Sequence, residues 1–227
     1  MKSQARGAVP TRSLLGPDDL TRLNLGLGKL GLDLGDEQVA KLFQYGQLIQ
    51  KWNAVYNLTA IRTPAELISH HLLDSLAVVP AVSSAVQGQA GPNVLDVGAG
   101  AGLPGLVFAV ARPDWQITLI DTVQKKAAFM QQAIATLGLK NARAVHGRVE
   151  QYKVESPFDL ICSRAFSTMG QFIGLTEHLL RPGGVYAALK GRVEVDNTVP
   201  PGWRIDSIVP IEVPFLDEER HLFVIQR

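Results

Sequence analysis

The chain has 227 residues, 46% of them hydrophobic and 7% aromatic, with 22 Lys and Arg against 21 Asp and Glu for a formal charge of +1. This is the composition of a globular protein and excludes a disordered or fibrous chain; the balanced charge by itself names no partner. One main domain is expected, burying on the order of 70% of the surface that the unfolded chain exposes, so neither a disulfide nor a structural metal is needed to hold a core. Cys162, the single cysteine, lies in the apolar run Phe158-Asp159-Leu160-Ile161-Cys162, which reads as a reducing, cytoplasmic protein. No stretch approaches the about 20 apolar residues of a membrane helix, so a soluble protein without membrane contact is expected. In chain order, residues 1–30 carry Lys2, Arg6, Arg12, Arg22 and Lys29 against Asp18 and Asp19 and lack the apolar centre of a secretory signal. They are read as a loosely ordered tail, with an organellar presequence or an RNA-touching arm as alternatives.

Residues 31–90 form a helical cap in this reading. Val39, Leu42, Phe43, Ile49 and Trp52 recur at helical spacing behind Asp36-Glu37, and a second helix runs from Pro64 through Leu76 and ends before Pro80. Residues 91–227 alternate strands and helices. Strands are expected at 93–97, 116–121, 142–146, 158–162 and 185–190. Helices are expected at 106–111, at 123–137 with Gly138 as C-cap, and from about 168 to 180. Such alternation predicts a parallel sheet covered on both faces, closed by an antiparallel hairpin of strands 205–213 and 221–226 at its edge. The fold class is therefore α/β, Rossmann-like.

The turn Gly98-Ala99-Gly100-Ala101-Gly102-Leu103-Pro104-Gly105 follows the first of these strands and opens a helix, the position where doubly wound sheets bind nucleotide-like ligands. Two features separate it from a dinucleotide site. Leu103 stands where that fingerprint has its third glycine, and Pro104 removes a backbone donor that a pyrophosphate would use. Asp121 ends the second strand, 19 positions beyond Gly102, where a carboxylate can accept from both ribose hydroxyls; capping the next helix is a compatible role. Adenosine without pyrophosphate points to S-adenosylmethionine.

The residues at this point resemble the glucose-inhibited-division-B, or RsmG, family of bacterial methyltransferases that modify guanine N7 in 16S ribosomal RNA. The resemblance spans about residues 31–226. It is carried by Lys51-Trp52-Asn53-Ala54-Val55-Tyr56-Asn57-Leu58-Thr59, His70-His71-Leu72-Leu73-Asp74-Ser75, the glycine turn, Ser163-Arg164-Ala165, Ala188-Leu189-Lys190-Gly191 and Glu219-Arg220-His221-Leu222. It implies a seven-stranded, S-adenosylmethionine-dependent methyltransferase sheet with a small helical cap. It also implies cofactor contacts at Gly98, Gly100, Leu103 and Asp121, an adenine frame at Val149-Glu150, an arginine at the site in Arg164, and Lys190 on the substrate side. The 16S RNA or the small ribosomal subunit is the implied partner, and a monomer is expected.

The residues agree with that target by elimination. After the fourth strand stands Ser163-Arg164-Ala165-Phe166, where exocyclic-amine methyltransferases place an Asn/Asp-Pro-Pro-aromatic clamp, and Cys162 lies within an apolar strand instead of offering a thiolate. Guanine N7 needs neither, because its in-plane lone pair is already nucleophilic. Arg164 is taken as the catalytic group, contacting the cofactor carboxylate or guanine O6, with a surface ion pair as its plain alternative. Lys190, Arg192, Arg220 and His221 are read as a basic rim for RNA phosphates, or as ordinary solvated charge. Trp52 and Tyr56 read as core before base stacking. His70, His71 and Asp74 do not make a metal site: His70 and Asp74 share a helical face, as a local pair or as a contact with the catalytic domain. Other readings remain open at this point: methyl transfer to another RNA or a small molecule, a nicotinamide-dependent oxidoreductase, or a ribosome-binding module without catalysis.

Overall fold

The computed structural model describes residues 14–164, 166, 168–193 and 198–227. The expected tail is not loose throughout. Residues 1–13 lie outside the described residues, but Pro17–Leu30 form a helix, α1, with Pro17 in its first turn, Asp18 and Asp19 beside the N-terminus and Gly31 closing it in the left-handed conformation at φ 64°. Leu23 and Leu27 are buried, because leucines at this spacing give the helix one apolar stripe. α1 also reaches across the molecule. The Arg22 guanidinium and the Lys29 ammonium sit 4.2 and 4.6 Å from the ring centre of Phe215, which belongs to a late loop.

Helix α2, Asp36–Tyr56, packs against two of the helices that cover the sheet. Near its start Gln38 donates to the carbonyls of Val110 and Ala111, satisfying the end of a sheet-covering helix. The next helical stretch is broken into α3 (Pro64–Leu67), a wide π turn (Ile68–Leu73), α4 (Asp74–Ala77) and α5 (Val79–Ala85). Pro80 does not stop this stretch as expected; it sits in the first turn of α5, where its missing N–H costs nothing.

Seven strands follow: β1 (Asn93–Val97), β2 (Gln116–Asp121), β3 (Ala142–His146), β4 (Phe158–Ser163), β5 (Leu180–Lys190), β6 (Arg204–Pro210) and β7 (His221–Gln226). Between them lie α6 (Gly105–Ala111), α7 (Gln124–Leu137, ended by Gly138) and α8 (Met169–Thr176). The order across the sheet is β3-β2-β1-β4-β5-β7-β6, parallel through β5 and antiparallel where β7 pairs with both β5 and β6. α8 stops earlier than the expected residue 180, giving way to a short 3-10 turn, Glu177–Leu179. There the Thr176 hydroxyl donates to the Phe172 carbonyl and is hydrogen-bonded to the Tyr186 hydroxyl. The cap and one face of the sheet share a single apolar cluster running from Leu15 to Val224. Among the described residues no helix is long and apolar enough to cross a membrane.

His71, in the π turn, is buried, with Nε2 2.7 Å from the Thr59 hydroxyl and Nδ1 3.0 Å from the His70 carbonyl. Burial holds its imidazole neutral, lowering its pKa to about 4. The unfolded chain takes up this proton near pH 6.5, so the contribution of His71 to stability is complete above that pH and is lost as pH falls toward 4. The expected loss is about 3 kcal/mol across this window, from 1.36 kcal/mol per unit. Denaturant unfolding checks it best in Asp96→Asn, since Asp96 acts with the opposite sign over the same interval.

Candidate active site

The chain reverses its direction of travel across the sheet between β1 and β4, and the crevice outside the carboxyl ends of these strands is where such sheets place ligands. Every residue singled out above arrives at this one edge: Gly98 and Gly100 after β1, Asp121 at the end of β2, Val149 and Glu150 after β3, Arg164 after β4, Lys190 at the end of β5 and Arg192 two positions on. Because β7 runs antiparallel, its first residue, His221, pairs with Lys190, the last of β5. Arg220 precedes it.

The glycine turn is held by its own backbone and by two carboxylates. Gly98 and Ala99 donate to the Ile120 carbonyl at 2.9 and 3.2 Å, and Gly100 donates to Asp121 Oδ2 at 2.9 Å while Asp121 Oδ1 accepts from Val123 N at 2.8 Å. Gly98, Gly100 and Gly102 all have positive φ, at 67°, 61° and 86°, so a side chain at any of them would be strained. Gly105 donates to Asp96 Oδ2 at 2.8 Å, and a Cβ there would fall 2.8 Å from that same oxygen. Most of the remaining donors are spent internally: Gly102 and Leu103 on the Ala99 carbonyl, Leu106 on that of Gly102. A dinucleotide's pyrophosphate would thus meet Pro104, mostly satisfied N–H groups and two carboxylates, a poor phosphate cradle.

Asp96 is fully buried, and its Oδ1 has no hydrogen-bond partner. Burial pushes its pKa up to about 7. An orphaned acceptor under the turn, a second carboxylate at Asp121 and no phosphate cradle fit a cationic nucleoside, which S-adenosylmethionine is. Two clefts open here. One, of about 690 Å³, is lined by Gly98, Asp121, Arg148, Val149, Glu150 and Phe166. The other, of about 510 Å³, is lined by Asp74, Arg164, Lys190, Gly191, Arg220 and His221. The expected cofactor residues Gly98, Asp121, Val149 and Glu150 share the first cleft, while Gly100 and Leu103 belong to the turn behind it. Arg164 lies in the second, with the expected substrate residues Lys190, Arg220 and His221; Arg192 is exposed beside them and lines neither.

The family model described as rRNA small subunit methyltransferase G matches residues 38–223. A Ribosomal RNA small subunit methyltransferase G from Methylobacillus flagellatus is 47% identical over 201 residues, covering 88% of this chain and 95% of that protein. Its counterpart from Cupriavidus necator is 46% identical over 225 residues, covering 92% and 97%. This chain belongs to the rRNA small subunit methyltransferase G family. Among solved structures, a putative methyltransferase from Escherichia coli, yhhF, superposes with a TM-score of 0.52 at 18% identity over 68% of this chain and 85% of that one, a likeness of fold alone. As a member of the methyltransferase G family the chain is an S-adenosylmethionine-dependent methyltransferase.

Two features of the site were not singled out in the sequence, and a third decides between alternatives left open there. The buried Tyr45 of α2 donates its hydroxyl to the Ala101 carbonyl, so the cap braces the glycine turn. Phe166, stacked on Phe172 with ring centres 5.1 Å apart, lines the first cleft. Asp74 joins the cap to Arg164 and Arg220, so the contact with the catalytic domain is the arrangement adopted, while its supposed local partner His70 stands 3.8 Å from Glu218 instead. Among the described residues no group of three His, Cys, Asp or Glu could hold a metal. Cys162 is buried and burial raises its thiol pKa, so it supplies no thiolate. Tyr45→Phe is expected to leave the Ala101 carbonyl unpaired, costing about 1–3 kcal/mol shared between stability and cofactor affinity. Thermal unfolding with and without S-adenosylhomocysteine checks this, and an unchanged pair of melting curves contradicts it.

Proposed function

We propose that this chain transfers a methyl group to N7 of a guanine in 16S ribosomal RNA of the small subunit. The observation that carries the reading is two unlike clefts at the carboxyl ends of one sheet, one lined by Gly98, Asp121, Val149 and Glu150, the other by Arg164, Lys190, Arg220 and His221. Membership of the methyltransferase G family supports the RNA target.

When bound, S-adenosylmethionine supplies an electrophilic methyl carbon on a sulfonium. In this reading Asp121 would accept from the cofactor's ribose hydroxyls, and Val149 and Glu150 would frame its adenine. Arg164 donates to guanine O6 and so turns the N7 edge toward the methyl carbon; its place in the cationic cleft and not the nucleoside cleft supports O6 over a cofactor carboxylate. Guanine N7 carries an in-plane lone pair that is already nucleophilic, so the residues need not activate it. No proton is abstracted from N7, so no general base is required. The work of the residues is alignment and exclusion of water, which can lower a barrier by roughly 7–11 kcal/mol. Lys190, Arg192, Arg220 and His221 supply positive potential for the RNA backbone.

The test is to incubate the protein with labelled cofactor and small subunits or 16S RNA lacking N7 methylation, then map the label. Label on N7 of one guanine is expected. Label on another ring position, on protein or on a small metabolite overturns the reading.

A further inference from the structure

We infer that Asp74 is a positioning residue of the methyl-transfer site, holding Arg164 and Arg220 across the cationic cleft from its place on the helical cap. This rests on the site reading given above.

Asp74 is 4% exposed and follows directly on the π turn Ile68–Leu73. Its Oδ2 lies 3.0 Å from Arg164 Nη2, and its Oδ1 accepts from Arg220 Nε at 2.9 Å. The two arginines come from different strand ends, and Arg220 is 146 positions away from the carboxylate that holds it. His70, one turn earlier, stands 3.8 Å from Glu218, whose other oxygen accepts from Arg220 Nη2, so the cap reaches the Arg220–Glu218 pair from two positions.

The two guanidinium groups differ in what remains to them. All three nitrogens of Arg220 already donate to protein: Nε to Asp74, Nη1 to the Glu219 carbonyl at 2.9 Å and Nη2 to Glu218 Oε2 at 2.8 Å. Arg164 is bonded through Nη2, whereas its Nη1 is buried with no hydrogen-bond partner. A guanidinium is a rigid planar fork, so fixing one nitrogen fixes the direction of the next. Asp74 therefore sets where the unpartnered Nη1 of Arg164 points, and holds Arg220 in place as part of the opposite wall. Asp74 and Glu218 together offset the two guanidinium charges, and Lys190 is the further cation on the lining of the cleft.

The test compares wild type, Asp74→Asn, Arg164→Ala and the double variant in methyl transfer to RNA, with S-adenosylhomocysteine affinity measured alongside. Asp74→Asn keeps the shape and removes the charge. It is expected to lower kcat at saturating RNA and cofactor at least tenfold, to leave S-adenosylhomocysteine affinity within threefold, and to add less than twofold to the loss caused by Arg164→Ala. A kcat loss below tenfold, or a full Asp74→Asn loss persisting on the Arg164→Ala background, overturns the inference, since a merely structural residue lowers stability without that coupling. A second measurement does not depend on RNA: nitrogen-15 NMR of wild-type arginine side chains should show a resolved, slowly exchanging Arg164 guanidinium near neutral pH, and a freely rotating one overturns the inference even if Asp74→Asn does not fold. Wild-type protein inactive on every RNA tested sinks the proposed function alone, leaving the NMR result to decide the role of Asp74.

Discussion

Arg164→Ala should lower kcat for methyl transfer by about 100-fold or more while S-adenosylhomocysteine affinity stays within threefold of wild type. The size follows from losing one preorganised, charge-assisted donor in a site shielded from water, an effect of about 10²–10³ in rate, or about 2.7–4 kcal/mol. The buried Nη1 without a partner is the structural reason to expect that the loss appears in the transition state instead of in the resting protein, where this atom makes no bond. The same substitution deprives Asp74 of one of its two cations, so thermal stability falls as well. Arg164→Lys separates the two effects: it restores a charge near Asp74 but not a planar fork, and is expected to recover stability more than rate. Single-turnover transfer of labelled methyl to RNA gives the rate, and a loss below twofold, under about 0.5 kcal/mol, removes Arg164 from the mechanism.

The second large effect concerns pH and Asp96. With its pKa raised to about 7 by burial, Asp96 is largely protonated at pH 6 in the free protein, and the carboxylate form is favoured once a cationic α-ammonium is brought near its unpartnered Oδ1. Affinity for S-adenosylhomocysteine, which carries that ammonium, should therefore rise by up to tenfold per unit as pH climbs from 5 to 7 and level off above. Binding at pH 6 should release protons, seen as a dependence of the calorimetric heat on the ionisation enthalpy of the buffer. Asp96→Asn is expected to flatten the profile and abolish the release. For folding alone the sign is the opposite of the His71 case. Asp96 has a higher pKa folded than the 3.8 of an ordinary carboxyl, so its ionisation penalises the native state above pH 7, and that penalty fades as pH falls toward 3.8. An affinity independent of pH between 5 and 7 would show that Asp96 does not face the cofactor's charge.

Much of this architecture can be read from residue order, because the strands and sheet-covering helices are local patterns. The run Val123, Ala127, Met130, Ile134, Leu137 with Gly138 behind it yields α7 almost to the residue. The glycine turn and Asp121 are legible for a related reason, since positive-φ glycines and a carboxylate at a strand end have few other uses. α1 is visible in spacing and hidden in composition: Leu20, Leu23, Leu27 and Leu30 step by three and four between Pro17 and Gly31, while surrounding glycines and charges dilute the apolar signal. The π turn was not legible, because Ile68–Leu73 is apolar or histidine throughout and gives no periodicity to measure. The same holds for Tyr45 against Ala101 and Asp74 against Arg220, 56 and 146 positions apart, whose meeting only the packed sheet decides.

The placement of β7 between β5 and β6 imposes an order of assembly. During synthesis from the N-terminus, β6 is made before the strand that joins it to the sheet, so its ladder groups stay open until residues 221–226 emerge. The same late strand delivers His221 next to Lys190 and brings Arg220 to Asp74. The cleft beside Gly98 and Asp121 can thus form on the growing chain ahead of the one beside Arg164, whose Arg220 and His221 arrive only with β7.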